Sequence, residues 1–534
     1  MLEEGSNACV MPEPSKRDDN ESVPDDSVKA EVVVPLEREN LGFPWIDWKV
    51  LWMYAGPGWL MSLAYLDPGN LEADLQDGAY TNYALLWVLL LATLMGLVLQ
   101  ILSAKLGVVT GLSLAQGIVK HYNCSTRYFL WIMTEIAIIG SDIQEVLGSA
   151  IAWQILTGIP IWAGVLVTSL DTFVFMGLHQ LGIRYLEAFI LSLLLTMIIC
   201  FWVNLFEAAP PAGDVVLGIV NFTNMPSYAI TIAVGTVGAV IMPHNLYLHS
   251  GLVRSRIINR ENPEHVRQAN KYNRIESTAS ILMSFLINLA VVAVFAVNFF
   301  DITCAEFDAP DAPFCKVPYL TTEEQCADFQ WIADTSTCCG NIGLASAGTA
   351  LYSTMGNAGL YIWAVGLLAA GQASTLTTSL AGQITMEGFL NIRISQWKRI
   401  ALTRSIALVP SIIVGVAAST SPRLMDTVNS SLNILQSIQL PFALLPVLSL
   451  TSRVDFLGRF ANGTKTKVIC WLMALFLVGI NFQAIFSLVE ETTLDSVWFL
   501  FGAFFTMYCA AILYVISYDI NELRVFLGTK LCKK

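Results

Sequence analysis

Apolar residues along this chain come in blocks of roughly 20, the length of helix needed to cross a bilayer, separated by short polar links. The stretches 85–102, 189–205, 281–300 and 468–482 illustrate the pattern. Twelve blocks can be marked, near 48–75, 82–108, 127–155, 160–178, 186–206, 228–253, 277–300, 357–384, 398–418, 432–450, 467–487 and 496–517. They predict one all-α membrane domain over 46–518, with polar tails at 1–45 and 519–534 and one long insertion at 301–356. Composition agrees. Charged residues make up 13% and hydrophobic ones 55% of the chain, with a mean hydropathy of +0.60, whereas a soluble domain carries about a quarter charged residues.

Charge adds orientation. Arg254, Arg256, Arg260, Arg267, Lys271 and Arg274 follow the sixth block, and Arg453, Arg459, Lys465 and Lys467 follow the tenth. Basic links stay in the cytoplasm, so both links and both termini are expected there. The segment after the seventh block holds eight Asp or Glu against Lys316 alone, and it is expected outside. Its five cysteines, Cys304, Cys315, Cys326, Cys338 and Cys339, contain no CxxC pair. They predict disulfides in an oxidising compartment, with the pairing open and one residue left over. The sequons at Asn221 and Asn429 fall on predicted external links and are glycosylation candidates. Much of the formal charge of −13 lies before Trp45. That tail is polar and aperiodic, reads as solvated and disordered, and lacks the basic start and apolar core of a secretory signal.

Two blocks are interrupted where an apolar helix should continue. The first contains Ala64-Tyr-Leu-Asp67-Pro68-Gly69-Asn70 and the sixth contains Gly238-Ala239-Val-Ile-Met242-Pro243-His244-Asn245. Proline removes a backbone donor and clashes with the preceding turn, so each helix is expected to open at Pro68 and Pro243. Unwound backbone survives at membrane depth only where its carbonyls are satisfied, typically by an ion or a water-lined cavity. One proline could be a packed kink. Two breaks five blocks apart, each flanked by polar side chains, fit equivalent helices of two inverted five-helix repeats around a midplane site. At such a site Asp67 offers an anionic oxygen, Asn70 a neutral one and Met242 a thioether. Freed carbonyls at Ala64 and Ala239 would complete the shell. A buried carboxylate calls for a cation, and the sulfur ligand favours the first transition row over magnesium or calcium.

These residues closely resemble the Nramp family of divalent-metal transporters. The resemblance covers about 45–450 and rests on Asp67-Pro-Gly-Asn70, Met242-Pro-His-Asn245 and Gly371-Gln-Ala-Ser-Thr through Ala-Gly-Gln-Ile-Thr-Met-Glu-Gly388. The run Met-Pro-His-Asn-Leu-Tyr-Leu-His-Ser and the cysteine-bearing loop look most like its animal-type branch. The resemblance implies a LeuT-type 5+5 inverted repeat with two extra C-terminal helices, and metal ligands at Asp67, Asn70, Met242, Ala239 and Ala64. It implies a further contact from Asn433 on the tenth helix, where a shorter amide than the family's usual Gln points to a water bridge.

Coupling to protons needs titratable groups, and Glu135, Asp142 and Glu145 share one face of the third block. The resemblance places a proton route there, together with Asp67, His244 and arginines of the ninth block, best matched by Arg399 and Arg404. His249 sits about 140° around a regular helix from His244, so the two cannot chelate one ion. The expected cargo is a divalent ion such as manganese or iron with H+ as co-substrate. No tightly bound cofactor, nucleotide or nucleic acid is expected. The surrounding partner is a lipid bilayer, at the plasma membrane or an endosomal, lysosomal or vacuolar membrane. An amino-acid carrier is disfavoured because Asp67 would repel a carboxylate. A magnesium carrier is disfavoured by Met242. A transport-inactive sensor would append an output domain, and an enzyme would need a catalytic constellation that these His and Cys positions do not form.

Overall fold

The computed structural model describes residues 32–36, 46–170, 183–223, 225–226, 228–305, 315–317, 326, 330–332, 337–390, 396–418, 422–490, 502 and 505–516. A short strand β1 (Val32–Val33) precedes α1 (Trp48–Tyr54), α2 (Pro57–Leu63), α3 (Pro68–Thr81), α4 (Leu86–Thr110), α5 (Leu114–His121) and α6 (Cys124–Thr157). Then come α7 (Ile161–Leu170), α8 (Ile183–Ala208), α9 (Ala212–Val220), α10 (Ala229–Val240) and α11 (Pro243–Leu252). β2 (Arg256–Ile257) leads into α12 (Pro263–Phe299), α13 (Ile302–Ala305) and strands β3 (Cys315–Lys316), β4 (Gln330–Ile332) and β5 (Thr337–Gly340). The rest is α14 (Leu344–Leu390), α15 (Gln396–Ala418), α16 (Pro422–Ser452), α17 (Val454–Leu457), α18 (Thr464–Glu490) and α19 (Phe505–Ile516).

Among the described residues, eight helical segments are long and apolar enough to span a membrane. Shorter apolar helices lie in predicted blocks four, nine and twelve, at Ile161–Leu170, Ser405–Ala417 and Phe505–Ile516. The first block is no single helix but α1, α2 and the start of α3. Helix starts follow their local sequence. Asp47 caps α1 through the N–H groups of Lys49 and Val50, Ser113 and Gln116 form a capping box on α5, and Asn262 followed by Pro263 opens α12.

Within a largely apolar core the molecule buries many polar and acidic side chains, while large apolar ones face out. Leu195, Ile199, Leu282, Ile413 and Leu475 are exposed, while Asp67, Asn70, Glu145, His244 and Glu276 are buried. That is the arrangement of a protein whose outer solvent is hydrocarbon, where in-membrane polar groups face the bundle interior. α3 packs along α12, and α6 along α14.

The segment 301–356 is not a plain loop. It forms α13, a sheet ordered β3-β5-β4 and the first turns of α14, which bends at Gly356 where φ is +67°. Disulfides join Cys304 to Cys339 and Cys326 to Cys338, pinning α13 and the outer part of the segment to β5. Cys315 is a free thiol buried beside Gly340, and burial pushes its pKa well up.

At the other end, β1 pairs in parallel with β2, Val32 opposite Arg256 and Val33 opposite Ile257. Val34 donates to Ile257 O over 3.2 Å and packs with Val50, Tyr54, Val108, Val253, Val266 and Tyr272. The chain before α1 is therefore fastened to the Arg-rich link after the sixth block, so both lie on one side of the molecule.

Candidate metal centre

Both breaks lie where the prolines place them. Asp67 is the N-cap of α3 in extended backbone (φ −75°, ψ 167°), and its carboxylate accepts from Gly69 N at 3.2 Å and Asn70 N at 3.1 Å. Met242 is the N-cap of α11 in the same region (φ −68°, ψ 130°), with a fully buried side chain. Pro68 and Pro243 each occupy the first helical position, where a missing N–H costs nothing. Carbonyls near the first break also accept from side chains of α12. Ser284 Oγ donates to Ser62 O at 2.9 Å, and Asn288 Nδ2 to Tyr65 O at 3.1 Å.

The two breaks also satisfy each other. Asn70 Nδ2 donates to Asp67 Oδ1 at 2.5 Å and to Ala239 O at 3.1 Å, and Asn245 Nδ2 donates to Ala64 O at 3.2 Å. Asn70 Oδ1 is buried without a hydrogen-bond partner. Asp67 and Asn70 of the first break thus meet the Ala239 carbonyl of the second, Asn245 of the second meets the Ala64 carbonyl of the first, and Met242 is buried at the start of α11. Among the described residues no three His, Cys, Asp or Glu side chains converge on a metal position. The centre is a mixed, single-carboxylate set.

A chain of amides backs it from α6 and α16. Asn433 Nδ2 donates to Gly69 O at 3.0 Å, Gln144 Nε2 donates to Asn433 Oδ1 at 2.8 Å and Asn429 O at 3.0 Å, and Gln436 Nε2 donates to Gln144 Oε1 at 2.7 Å. Asn433 therefore reaches the first break through its backbone. A Cβ at Gly69 would lie 2.9 Å from Asp67 Oδ2 and 3.0 Å from both Asn433 Oδ1 and Gln144 Oε1, so a larger residue would displace these side-chain ends. Gln144 and Gln436 lie outside the motifs, and Asn245 is part of the second motif without an expected role of its own. A polar residue inside an apolar helix was the available signal for the first two, and the match of Asn245 to Asn70 was the signal for the third.

The remaining sites separate. Asp142 and Glu145 are buried on α6, where Ser141 and Thr378 donate to Glu145 Oε1. Glu135 is only half-buried and accepts from Trp131 Nε1 at 2.8 Å. His244 is buried at the second residue of α11, and its Nδ1 has no hydrogen-bond partner. His249 pairs with Gln100 at 2.9 Å. Arg399 and Arg404 belong to α15, and their side chains lie outside the described residues. Asn429 needs correction. It sits within α16, not in a link, and is buried with its carbonyl bonded to Gln144; a glycan acceptor must be exposed, so this site is withdrawn. Asn221 sits at the end of α9, its Oδ1 accepting from Thr223 Oγ1 at 2.7 Å.

Fold and site together define an integral-membrane transporter of the broken-helix, inverted-repeat class. The family model described as natural resistance-associated macrophage protein-like matches residues 58–487, and the chain belongs to the Nramp family. It is 42% identical over 520 residues to the metal transporter Nramp3 of Arabidopsis thaliana, covering 95% of both chains. It is 45% identical over 449 residues to natural resistance-associated macrophage protein 2 of Homo sapiens, covering 83% of this chain and 77% of that one. Animal and plant relatives thus match about equally. A mutant manganese transporter of Eremococcus coleocola superposes with a TM-score of 0.73 at 28% identity, over 93% of this chain and 99% of the other. A nucleobase–cation symporter shares the fold alone, with a TM-score of 0.52 at 13% identity. The matched relatives are metal transporters, a non-enzymatic class.

Proposed function

We propose that this chain is a proton-coupled importer of divalent transition-metal ions, carrying manganese, iron or similar ions into the cytosol by alternating access. The observation that carries the reading is the reciprocal closure of the two breaks around Asp67, Asn70, Met242 and the carbonyls of Ala64 and Ala239. One carboxylate, neutral oxygens and a thioether suit a borderline-soft ion, and they hold it loosely enough for release. The manganese transporter among its structural neighbours supports the same cargo.

In this reading Asp67 binds the ion and, without it, a proton, which links the two fluxes. Asp142, Glu145 and His244 offer a buried route for the proton, with Glu135 near its rim and Arg399 and Arg404 as counter-charges. The Arg-rich link and the strand paired to it face the cytoplasm, and the disulfide-bearing segment faces the exterior or a lumen. The membrane is the cell surface or an endosomal, lysosomal or vacuolar one, and Asn221 is the remaining glycan acceptor.

The test is manganese uptake into proteoliposomes under an inward proton gradient, with calcium as competitor, for the native chain and Met242→Ala. Native uptake should rise with the gradient and resist calcium, and the substitution should make calcium an effective competitor. Equal competition in both would leave Met242 as packing and point to another cargo. A folded protein that moves nothing would favour a sensor.

A further inference from the structure

The two breaks share more than their prolines. Ala64, Asp67, Pro68 and Asn70 occupy the same relative places as Ala239, Met242, Pro243 and Asn245. The side-chain amides keep that register across the gap, Asn70 Nδ2 bonding Ala239 O at 3.1 Å and Asn245 Nδ2 bonding Ala64 O at 3.2 Å. Both asparagines are fully buried, and the Oδ1 of each has no hydrogen-bond partner.

The two bonds tie different halves of the molecule. The Asn70 bond joins α3 to α10. Their far ends meet beside the disulfide-bearing segment, where Tyr80 OH donates to Ile342 O at 3.0 Å and Tyr228 OH to Tyr80 O at 3.2 Å. The Asn245 bond joins α2 to α11. Their far ends meet at the basic side, where Glu276 accepts from Gly56 N at 2.6 Å and Gly58 N at 2.9 Å, and Arg256 donates to Ala55 O at 2.5 Å. One amide–carbonyl latch therefore closes each side of the site.

We propose that Asn245 is a positioning residue for transport, latching the basic-side halves α2 and α11 by holding the Ala64 carbonyl, as Asn70 latches α3 and α10 through Ala239. The assignment deepens the alternating-access reading above and rests on it. A carbonyl engaged by an amide N–H has less of its lone-pair density for a cation. An ion that draws on Ala64 therefore competes with Asn245, and one that draws on Ala239 competes with Asn70. Bound cargo then weakens a latch on either side, which lets one site open both ways.

The experiment is hydrogen exchange read by mass spectrometry on the full chain without metal, for Asn245→Ala, Asn245→Leu and Asn70→Ala. Asn245→Leu keeps the size and branching of the side chain and removes the N–H donor. Both Asn245 variants should raise exchange across 57–63 by roughly fivefold, the loss of one buried hydrogen bond, and leave 229–240 unchanged. Asn70→Ala should do the reverse. By calorimetry, Asn245→Ala should bind manganese more tightly, by roughly fivefold, because the Ala64 carbonyl no longer has to give up the amide, while Asn70→Ala, which also loses a ligand, should bind more weakly; a merely structural role would weaken both. Unchanged exchange at 57–63, or equal acceleration of both segments, overturns the proposal, as does failure of both Asn245 variants to fold. Exchange is read without cargo. A native chain that carried no metal would defeat the proposed function and leave this result standing.

Discussion

Asp67 does two jobs with one carboxylate. It caps α3 through the N–H groups of Gly69 and Asn70 and presents its charge at the break. Its geometry depends on neighbours outside any motif, above all Gln144, which orients Asn433 against the carbonyl of Gly69. Residues that orient ligands typically cost roughly 10–100-fold in metal affinity when removed. Gln144→Ala is therefore expected to weaken manganese binding within that range without unfolding the chain, measured by calorimetry beside a thermal melt. Native affinity in that variant would show that the amide chain does not support the site. At this scale the DPGN and MPHN motifs were legible because proline and carboxylate are rare inside apolar helices. Gln144 and Gln436 were not, because a lone glutamine in an apolar helix says nothing about which helix it faces. Asn429 misled for a related reason, since a three-residue sequon carries no information on burial.

Among elements, the short strand ahead of α1 was the least foreseeable. Sequence read 1–45 as one polar tail, yet Val34 is buried in a cluster shared with α1, α4 and α12, and Gln268 Nε2 donates to Pro35 O at 3.0 Å. Two residues of pairing hold little by themselves. The buried valine, the bond of Val34 N to Ile257 O and that of Gln268 Nε2 to Pro35 O make the attachment. Val34→Asp places a carboxylate in that apolar cluster at a cost of several kcal/mol. It should release residues 32–36, seen as full amide exchange there, while α12 stays protected. Retained protection at 32–36 would mean that backbone pairing suffices. The external segment shows the complementary case. Five cysteines announced cross-linking, but sequence cannot choose a pairing. β5 chose it by placing Cys338 and Cys339 next to each other, one facing Cys326 and the other Cys304.

Over the whole molecule the governing fact is the placement of polar and apolar side chains. Acids and amides are buried among a larger set of apolar residues, and many large apolar side chains face outward. Leu195, near the middle of α8 and 49% exposed, should contact hydrocarbon. Leu195→Arg is expected to cost about 3–4 kcal/mol in helix insertion, measurable as a reduced inserted fraction in a translocon assay. Unchanged insertion would place this face of α8 in water or protein. Among the described residues, eight of the twelve expected blocks form helices long and apolar enough to cross, because each crossing must satisfy its own backbone in a helix of about 20 residues.

What the sequence determined by itself, then, was local or additive. Apolar length set the spans, Lys and Arg clustering set the expected sides, and two prolines set the breaks. These signals are written in consecutive residues, and each acts through its own helix. Tertiary structure alone decided which carbonyl each asparagine holds, which helices lend Gln144 and Asn433 to the break, how the cysteines pair and where Asn429 lies. Those outcomes depend on side chains hundreds of residues apart meeting across helix interfaces, as Asn433 meets Gly69.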